Sequence, residues 1–292
     1  MLKKLLLAGL GLSVLSLSSA QAGEALHLSV TSGLPANHVA LKIFRSRFQD
    51  EITRRLEAEN AGSVVWDETH AGTLSHFGGS LEAVEDDLST FAIISVSHET
   101  KRLPLQDMTF HAPFTTENCA LMGEAYHAIH RNLRGMTGQI TAAHQTYLSA
   151  MASDDYNFIA TQKIRNAADI RGMAIGVVDP VSSWVTGAEG QPVRLQADLL
   201  GARLEAGTLI GALLPNTEMR RLGLKKFADH YTRAKFGAQV PFIITVNTRA
   251  LKALPDALRS VVLETASGFV YTSAQDYCAA GIEAVDILKS QG

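Results

Sequence analysis

The sequence lacks most of the patterns that identify catalytic, cofactor-binding or nucleic-acid-binding proteins. It contains no Gly-x-Ser-x-Gly nucleophile turn, no glycine-rich phosphate loop of the Walker type and no Cys-x-x-Cys pair. Its net charge is −3, and a chain without a one-sided basic patch has no general affinity for nucleic acid or anionic lipid. We therefore predict no cofactor and no nucleic-acid partner.

Cysteine is scarce, with only Cys119 and Cys278 in 292 residues. A chain of this length can bury a sufficient core without disulfides. The sequence also does not give the Cα separation that a disulfide requires. We expect two buried free thiols, with a disulfide as the alternative.

Long apolar runs are confined to the N-terminus, where the first 22 residues have the organisation of a secretory signal peptide. Lys3 and Lys4 precede a mainly apolar segment, Leu5–Leu17, and residues 20–22 (Ala-Gln-Ala) supply small residues for cleavage. The apolar segment is short for a membrane helix, which needs about 20 apolar residues. We predict a mature chain that begins near Gly23, outside the cytoplasm and without stable membrane insertion. A retained N-terminal anchor is the alternative.

Predicted strands and helices alternate along the rest of the chain. The first series contains a strand at Leu26–Val30, a helix at Asn37–Glu59 and an apolar strand at 91–96 (FAIISV). This order favours a mainly parallel sheet that is covered by helices on both faces. A second series follows a strand at Thr146–Met151, and the strand Phe242–Val246 then returns towards the first.

This order predicts two α/β lobes joined by crossing strands. We place lobe I at residues 23–148 and 238–268, and lobe II at residues 149–237 and 269–292. Pro255 suits the first turn of a long C-terminal helix. The boundary between two such lobes leaves a cleft, where small-molecule sites are usually built.

Histidines provide the only signals for metal binding or hydrolysis. Glu124, His127 and His130 are spaced to lie near one helix face, but no second element completes a metal site, so a solvated helix face is favoured. A hydrolase remains an alternative, because catalytic triads leave no fixed spacing in a sequence. The histidines available to it lie in or beside predicted loops, at His70, His76, His98 and His111.

Seven segments form a collinear pattern over nearly all of the mature chain. They are 33–38 (GLPANH), 70–84 (HAGTLSHFGGSLEAV), 103–106 (LPLQ), 112–114 (APF), 163–172 (KIRNAADIRG), 204–211 (LEAGTLIG) and 254–256 (LPD). In this order they resemble the periplasmic solute-binding proteins of TRAP transporters, the DctP-like family. The resemblance implies a two-lobed, type II-like periplasmic binding protein that captures a small solute and delivers it to membrane permease subunits. It implies no catalysis.

The sequence departs from the family where the ligand is held. Family members commonly clamp a substrate carboxylate with an arginine in the strand after the 163–172 segment, and that position is Gly176 here. A second arginine position of some members falls near Asn157. Other polar family positions are apolar here, at Ile210, Leu213 and Leu214. These changes favour a more apolar or aromatic ligand, and a drifted site with weak capture is the alternative.

We expect aromatic residues to supply part of the binding surface. The loop 179–184 resembles a family variant that brings Trp184 to the cleft for stacking, although Trp184 as plain core is equally open. Arg194 is a candidate replacement for the missing clamp. The predicted ligand-binding residues are His70, Phe77, Gly78, Tyr156, Asn157, Gly176, Trp184, Arg194, Leu214 and Phe236.

The predicted function is capture of a small organic acid, aromatic in the favoured case, in the periplasm. Two alternatives remain: a secreted hydrolase that uses histidines near the cleft, and a receptor that presents its ligand to a membrane sensor. Family members usually continue beyond the long helix, whereas this sequence ends at Gly292. We expect either a fragment or dispensable last elements.

Overall fold

The computed structural model describes residues 25–178 and 180–290. The predicted signal peptide at 1–22 and Asp179, the first residue of the predicted aromatic loop, lie outside the described residues. Within the described ranges, no helix combines the length and the apolar character needed to cross a membrane.

The described chain folds around two five-stranded sheets. In chain order the strands are β1 (Leu26–Thr31), β2 (Val64–Thr69), β3 (Phe91–Ser95), β4 (Gln145–Met151), β5 (Tyr156–Ala160), β6 (Ala174–Val177), β7 (Gln191–Arg194), β8 (Gly211–Pro215), β9 (His230–Thr232) and β10 (Phe242–Asn247). We call the bodies around the first and second sheets lobe I and lobe II.

The two sheets share one topology. Lobe I has the order β2-β1-β3-β10-β4, and lobe II has the order β7-β6-β8-β5-β9. In each sheet the first three strands are parallel, the fourth is antiparallel to them, and the fifth pairs antiparallel with the fourth. The prediction of two mainly parallel sheets is therefore confirmed. The strand β10 returns to the first sheet after all strands of the second sheet, as predicted.

Helices cover the sheets. In chain order they are α1 (Val39–Phe44), α2 (Asp50–Glu59), α3 (Ser80–Glu85), α4 (Cys119–Asn132), α5 (Arg134–Ala142), α6 (Ser182–Thr186), α7 (Leu200–Glu205), α8 (Asn216–Arg221), α9 (Thr248–Ala253) and α10 (Asp256–Ser290). A π-helical segment, Arg45–Gln49, joins α1 to α2, so the long helix predicted here is present with one local change of winding.

The helix α10 packs on both lobes. Phe269 meets the rings of Phe44 and Phe48 in the core of lobe I, whereas Leu288 belongs to the core of lobe II. Gly281 allows a close approach, because an added Cβ there would lie 2.4 Å from the Cβ of Asp154. The predicted long C-terminal helix is confirmed, and it connects the two lobes alongside the crossing strands.

The chain crosses between the lobes at residues 152–155 and again just before β10. Ser153 N donates a hydrogen bond to the carbonyl of Gln239 at 2.7 Å, which ties the two crossings together. The buried Asp154 accepts hydrogen bonds from the Oγ1 of Thr217 at 2.6 Å and from its backbone N at 3.2 Å. Burial raises the pKa of Asp154 to about 7. The strand β4 stays in the first sheet up to Met151, directly before the first crossing.

Cys119 and Cys278 form a disulfide, so the expectation of two free thiols is wrong. Their Cα atoms are 5.8 Å apart although 159 positions separate them in the sequence. The start of α4 and the middle of α10 become neighbours only when α10 packs against lobe I. That packing is a tertiary property, so the sequence did not reveal the distance between the cysteines.

Candidate functional site

A cleft of about 780 Å³ lies between the lobes. Each wall is built from segments that follow parallel strands: β1, β2 and β3 in lobe I, and β6, β7 and β8 in lobe II. Carboxyl ends of parallel strands are where open α/β sheets bind ligands. The lobe I wall includes Pro35, His76, Phe77, Ser95 and His98, and the lobe II wall includes Val178, Arg194, Asp198, Thr217, Glu218 and Arg221.

The lobe I wall presents a stacked pair of rings, Phe77 and His98. Their centroids are 4.8 Å apart with an interplanar angle of 23°, and Phe77 remains 42% exposed. The neighbouring Gly78 has φ +83°, which favours glycine. A Cβ at this position would also lie 3.1 Å from the carbonyl oxygen of His98. The glycine therefore permits the tight turn that displays the phenylalanine ring.

Two histidines of this wall differ in how they are held. The Nδ1 of His98 lies 2.9 Å from the Oγ of Ser95 and 3.1 Å from the Oγ of Ser97. The ring is reachable from the cleft, yet the surrounding protein removes part of its hydration. This desolvation, followed by the charge of Arg194, lowers the pKa of His98. His76 also lines the cleft and is exposed.

The lobe II wall contains two arginines in different electrostatic situations. Arg221 makes an ion pair with Glu218 at 2.7 Å. Burial alone would lower the pKa of Arg221, but Glu218 and the nearby charge of Asp198 raise it. Arg194, at the end of β7, has neither an ion pair nor a side-chain hydrogen bond with any residue in the described ranges. We call it the uncommitted cation of the cleft, because no described residue pairs with its side chain.

One polar contact bridges the two walls. His38, the residue before α1, accepts a hydrogen bond on Nδ1 from the backbone N of Ala40 at 3.1 Å. Its proton therefore resides on Nε2, which lies 3.2 Å from the Oε1 of Glu218. Burial alone would raise the pKa of Glu218, but His38 and Arg221 hold it at about 2. Lobe I thus donates a hydrogen bond to a buried carboxylate of lobe II.

The cleft contains three of the predicted ligand-binding residues: Phe77, Tyr156 and Arg194. Phe77 and Arg194 are exposed on opposite walls. Tyr156 is a buried residue of the cleft lining, as are Phe242 and Tyr277. Gly78 shapes the loop next to Phe77 and does not line the cleft itself.

Trp184 and Phe236 lie in an aromatic core and do not line the cleft. The Nε1 of Trp184 donates a hydrogen bond to the carbonyl of Phe110 at 2.9 Å. The rings of Trp184 and Phe236 stack with centroids 5.0 Å apart. Trp184 is only 8% exposed and is therefore a residue of the hydrophobic core, as the alternative prediction has it. Neither ring lies where it would contact a ligand in the cleft.

Gly176 and Leu214 also lie off the cleft, in the hydrophobic layer of lobe II. A Cβ on Gly176 would lie 2.4 Å from Leu200 and 2.9 Å from Leu209. Leu214 is completely buried in the same layer. Side chains alternate between the two faces of a strand, and at Gly176 the direction away from the backbone is filled by leucine. This space cannot hold a guanidinium group without repacking.

His70 lies behind the lobe I wall in a hydrogen-bonded series. Its Nδ1 is 2.9 Å from the Oγ of Ser32, and its Nε2 is 3.0 Å from Glu68. Burial lowers the pKa of His70. The connectivity resembles a Ser-His-Glu triad, but Ser32 is 0% exposed, and none of the three residues lines the cleft. Glu68 is also paired with Arg45.

Asn157 supports the interlobe crossing. Its side-chain amide donates hydrogen bonds to Asp155 at 2.9 Å and to Asn216 at 3.0 Å, and its oxygen accepts one from the backbone N of Lys235. It is fully buried and does not line the cleft. Asn157 is therefore a structural amide, and the expectation that it contacts the ligand stays without support from its position.

The helix α4 carries the other histidine cluster. Within the described part of the chain, no group of three or more His, Cys, Asp or Glu residues is arranged to hold a metal ion. His127 lies 2.9 Å from the hydroxyl of Tyr147 through Nδ1. His130 is completely buried, which corrects the expectation of a solvated face. Its ring stacks on Tyr147 with centroids 3.6 Å apart, and neither ring nitrogen has a partner among the described residues.

Sequence reasoning did not assign His38, His98, Glu218 or Arg221 to the ligand cleft. His98 follows β3 and Glu218 follows β8, so the carboxyl ends of apolar strands were an available signal. The bond between His38 and Glu218 had no such signal, because it depends on how the lobes face each other.

Neither a protein-family model nor a curated protein matches the sequence. Similar solved structures exist. A marine metagenome TRAP solute-binding protein specific for aromatic acid ligands, in complex with 3-hydroxybenzoate, has a TM-score of 0.77 and 16% identity over 92% of this chain and 83% of that chain. A marine metagenome TRAP solute-binding protein specific for pyroglutamate has a TM-score of 0.74 and 15% identity, over 92% of this chain and 86% of that chain. A TRAP periplasmic solute-binding protein from Xanthobacter autotrophicus with bound β-D-galacturonate has a TM-score of 0.71 and 17% identity, over 91% of this chain and 87% of that chain. The chain has the two-lobed fold of these proteins.

Proposed function

We propose that this chain is an extracytoplasmic solute receptor that captures a small organic acid in the interlobe cleft for a TRAP-type transporter. The observation that carries the proposal is the cleft of about 780 Å³ between two lobes, with the uncommitted guanidinium of Arg194 in its wall. An enclosed site between lobes can bury most of a small ligand, and a few polar groups fix its orientation. A guanidinium is well matched to a carboxylate.

The ligands of the structural neighbours support an acid as the solute. The neighbours above hold 3-hydroxybenzoate, pyroglutamate and β-D-galacturonate. These molecules differ in ring type and share a carboxylate group. We extend that shared chemistry, and no individual ligand, to this chain.

The proposal includes location and partners. The signal-peptide pattern at residues 1–22 supports export, and a receptor of this fold would deliver its solute to membrane permease subunits from the periplasm. The solute would be bound and released chemically unchanged. No nucleic acid, cofactor or metal has a role in the proposed function.

Hydrolysis is the second candidate, because Ser32, His70 and Glu68 are hydrogen-bonded in the order of a triad. A nucleophile must reach the carbonyl carbon that it attacks, whereas Ser32 is 0% exposed. Incubating the protein with aryl and alkyl esters, beside a Ser32→Ala variant, tests this candidate. We expect no turnover by either protein, and Ser32-dependent turnover would establish the hydrolase.

The receptor is tested with the chain expressed from its full sequence and purified from the periplasmic fraction. Mass spectrometry should show a product that begins near Gly23. Titration calorimetry and thermal shift are then measured with 3-hydroxybenzoate, pyroglutamate and galacturonate. A bound acid should saturate at one per chain and raise Tm, because ligand at 100 times its Kd adds about 2.7 kcal/mol to the unfolding free energy. Cytoplasmic retention, or binding of none of a broad panel of carboxylates, contradicts the proposal.

A further inference from the structure

The carboxylate-binding position of this chain cannot be at Gly176. Leu200 and Leu209 occupy the space into which a side chain would extend. The other family position is occupied by Asn157, whose amide is used in bonds to Asp155 and Asn216. If the cleft binds an acid, another group has to neutralise the carboxylate.

Arg194 is the uncommitted guanidinium of the cleft. Of the two described arginines that line it, Arg221 is paired with Glu218. Asp198, the other acid of the lobe II wall, acts electrostatically on Arg221 and makes no ion pair with Arg194 among the described residues. Arg194 therefore offers an unused bidentate donor at a strand end that faces the cleft.

The group facing Arg194 is an aromatic surface. Arg194 lines the same cleft as the stacked rings of Phe77 and His98, and its charge contributes to the lowered pKa of His98. Phe77 covers His98 on one face and stays 42% exposed. An exposed phenylalanine in a cleft is a ready stacking surface for a flat ligand.

We propose that Arg194 binds the ligand carboxylate from lobe II while Phe77 stacks on the ligand ring from lobe I, so that the site selects small planar-ring carboxylates. This inference rests on the proposed receptor function and names the residues and the ligand class. One ligand contacts both walls at once, so binding couples directly to the approach of the lobes.

The test compares Arg194→Gln with Arg203→Gln. Arg203 is exposed on α7 in the same lobe, has no ion pair among the described residues and does not line the cleft. The probes are 3-hydroxybenzoate, its uncharged amide analogue 3-hydroxybenzamide, and galacturonate, an acid without a planar aromatic ring. Kd is measured by calorimetry, and Tm without ligand verifies folding.

The expected pattern separates the two contacts. Arg194→Gln should raise the Kd for 3-hydroxybenzoate by about 10- to 100-fold, the range for a charge-assisted hydrogen-bonded pair. Arg203→Gln should leave this Kd unchanged. The amide should bind the wild type as weakly as the acid binds Arg194→Gln. Phe77→Ala should raise the Kd for the aromatic acid by about 5- to 10-fold and leave the Kd for galacturonate unchanged.

Each failure has a separate meaning. If the wild type binds acids and Arg194→Gln binds them equally, the Arg194 assignment is overturned and the receptor function stands. If galacturonate binds more tightly than 3-hydroxybenzoate, or if Phe77→Ala leaves 3-hydroxybenzoate binding unchanged, the planar-ring selectivity is overturned. If the wild type binds only the amide, or no carboxylate of the broader panel, the receptor proposal and this inference fail together.

Discussion

The two walls of the cleft have the same architecture and different chemistry. Both are formed by segments that follow three parallel strands of a five-stranded sheet. The lobe I wall displays the rings of Phe77 and His98, whereas the lobe II wall carries the charges of Arg194, Glu218 and Arg221. The shared topology therefore sets the position of the cleft. The few residues just beyond each strand set the chemical character of its walls.

A second contrast lies within the lobe II wall. Arg221 and Glu218 form a largely buried pair, with side chains 19% and 12% exposed, and His38 of lobe I contacts the same carboxylate. Arg194 is exposed and uncommitted. One arginine thus serves the structure and the other is available for a ligand, so substitutions in this wall should separate stability from affinity.

The largest expected effect comes from Glu218→Ala. Removing one partner of a buried ion pair leaves an uncompensated charge, so the variant should lose about 3 to 5 kcal/mol of unfolding free energy, measured by urea denaturation. The matched control is Glu283→Ala, which breaks the pair with Arg220 between α8 and α10. That pair is 40% and 62% exposed, so the control should cost less than about 1 kcal/mol. Equal losses would show that the buried pair has no special structural role.

The next effect comes from Gly176→Ala. The new Cβ would lie 2.4 Å from Leu200, and such overpacking costs about 1 to 3 kcal/mol of unfolding free energy. Its Kd for 3-hydroxybenzoate should equal that of the wild type, the reverse of the pattern predicted for Arg194→Gln. A stable Gly176→Ala protein with lost affinity would return the ligand contact to this strand.

The next effect is a gain in unfolding free energy, which we expect from His130→Phe at a site away from the cleft. His98 has hydroxyl partners in the lobe I wall, whereas both ring nitrogens of His130 lack a described partner. Phenylalanine keeps the stack on Tyr147 and removes these polar atoms, so the variant should be more stable by about 1 to 2 kcal/mol at pH 8. An equal or lower stability would indicate that His130 contributes a favourable polar contact.

The same variant has a defined pH dependence. Burial lowers the pKa of His130 from 6.5 to about 4, so the unfolded chain binds the proton at higher pH than the folded chain. The wild type should therefore lose stability as pH falls from about 6.5 to about 4, up to about 3 kcal/mol from this group. The stability difference between His130→Phe and the wild type should widen over this window. A constant difference would contradict the shifted pKa.

The smallest effect is expected from His38→Asn, which acts on the bond between the walls. Asparagine is a good helix N-cap, so α1 should keep its cap while the contact with Glu218 is lost. The unfolding free energy should fall by about 1 kcal/mol or less, and small-angle scattering of the ligand-free protein should show a larger radius of gyration. An unchanged radius would mean that other contacts hold the lobes in this arrangement.

The sequence predicts the architecture well, because the architecture depends on local patterns. Apolar runs marked β3 and β10, and Pro255 marked the start of α10. The resemblance places Phe77 in a ligand-side loop and leaves Arg194 as a candidate for the missing carboxylate clamp, and both residues line the cleft.

The failures concern partners that are distant in sequence. Trp184 is of a residue type that often stacks on ligands. Only its hydrogen bond to Phe110 and its ring stack on Phe236 show that it belongs to the core. The disulfide between Cys119 and Cys278 depends on where α10 lies against α4. At Gly176, where the sequence resemblance predicts a ligand contact, leucines that are distant in the sequence fill the space beside the strand.

The disulfide also bears on how the molecule can move. It attaches the middle of α10 covalently to lobe I at Cys119, while the last turns of the same helix pack into lobe II through Leu288. The part of α10 that reaches lobe II therefore begins just beyond this covalent attachment, where Gly281 packs closely on Asp154. The disulfide thus fixes one point of α10 to lobe I, between the contacts that the helix makes with the two cores through Phe269 and Leu288.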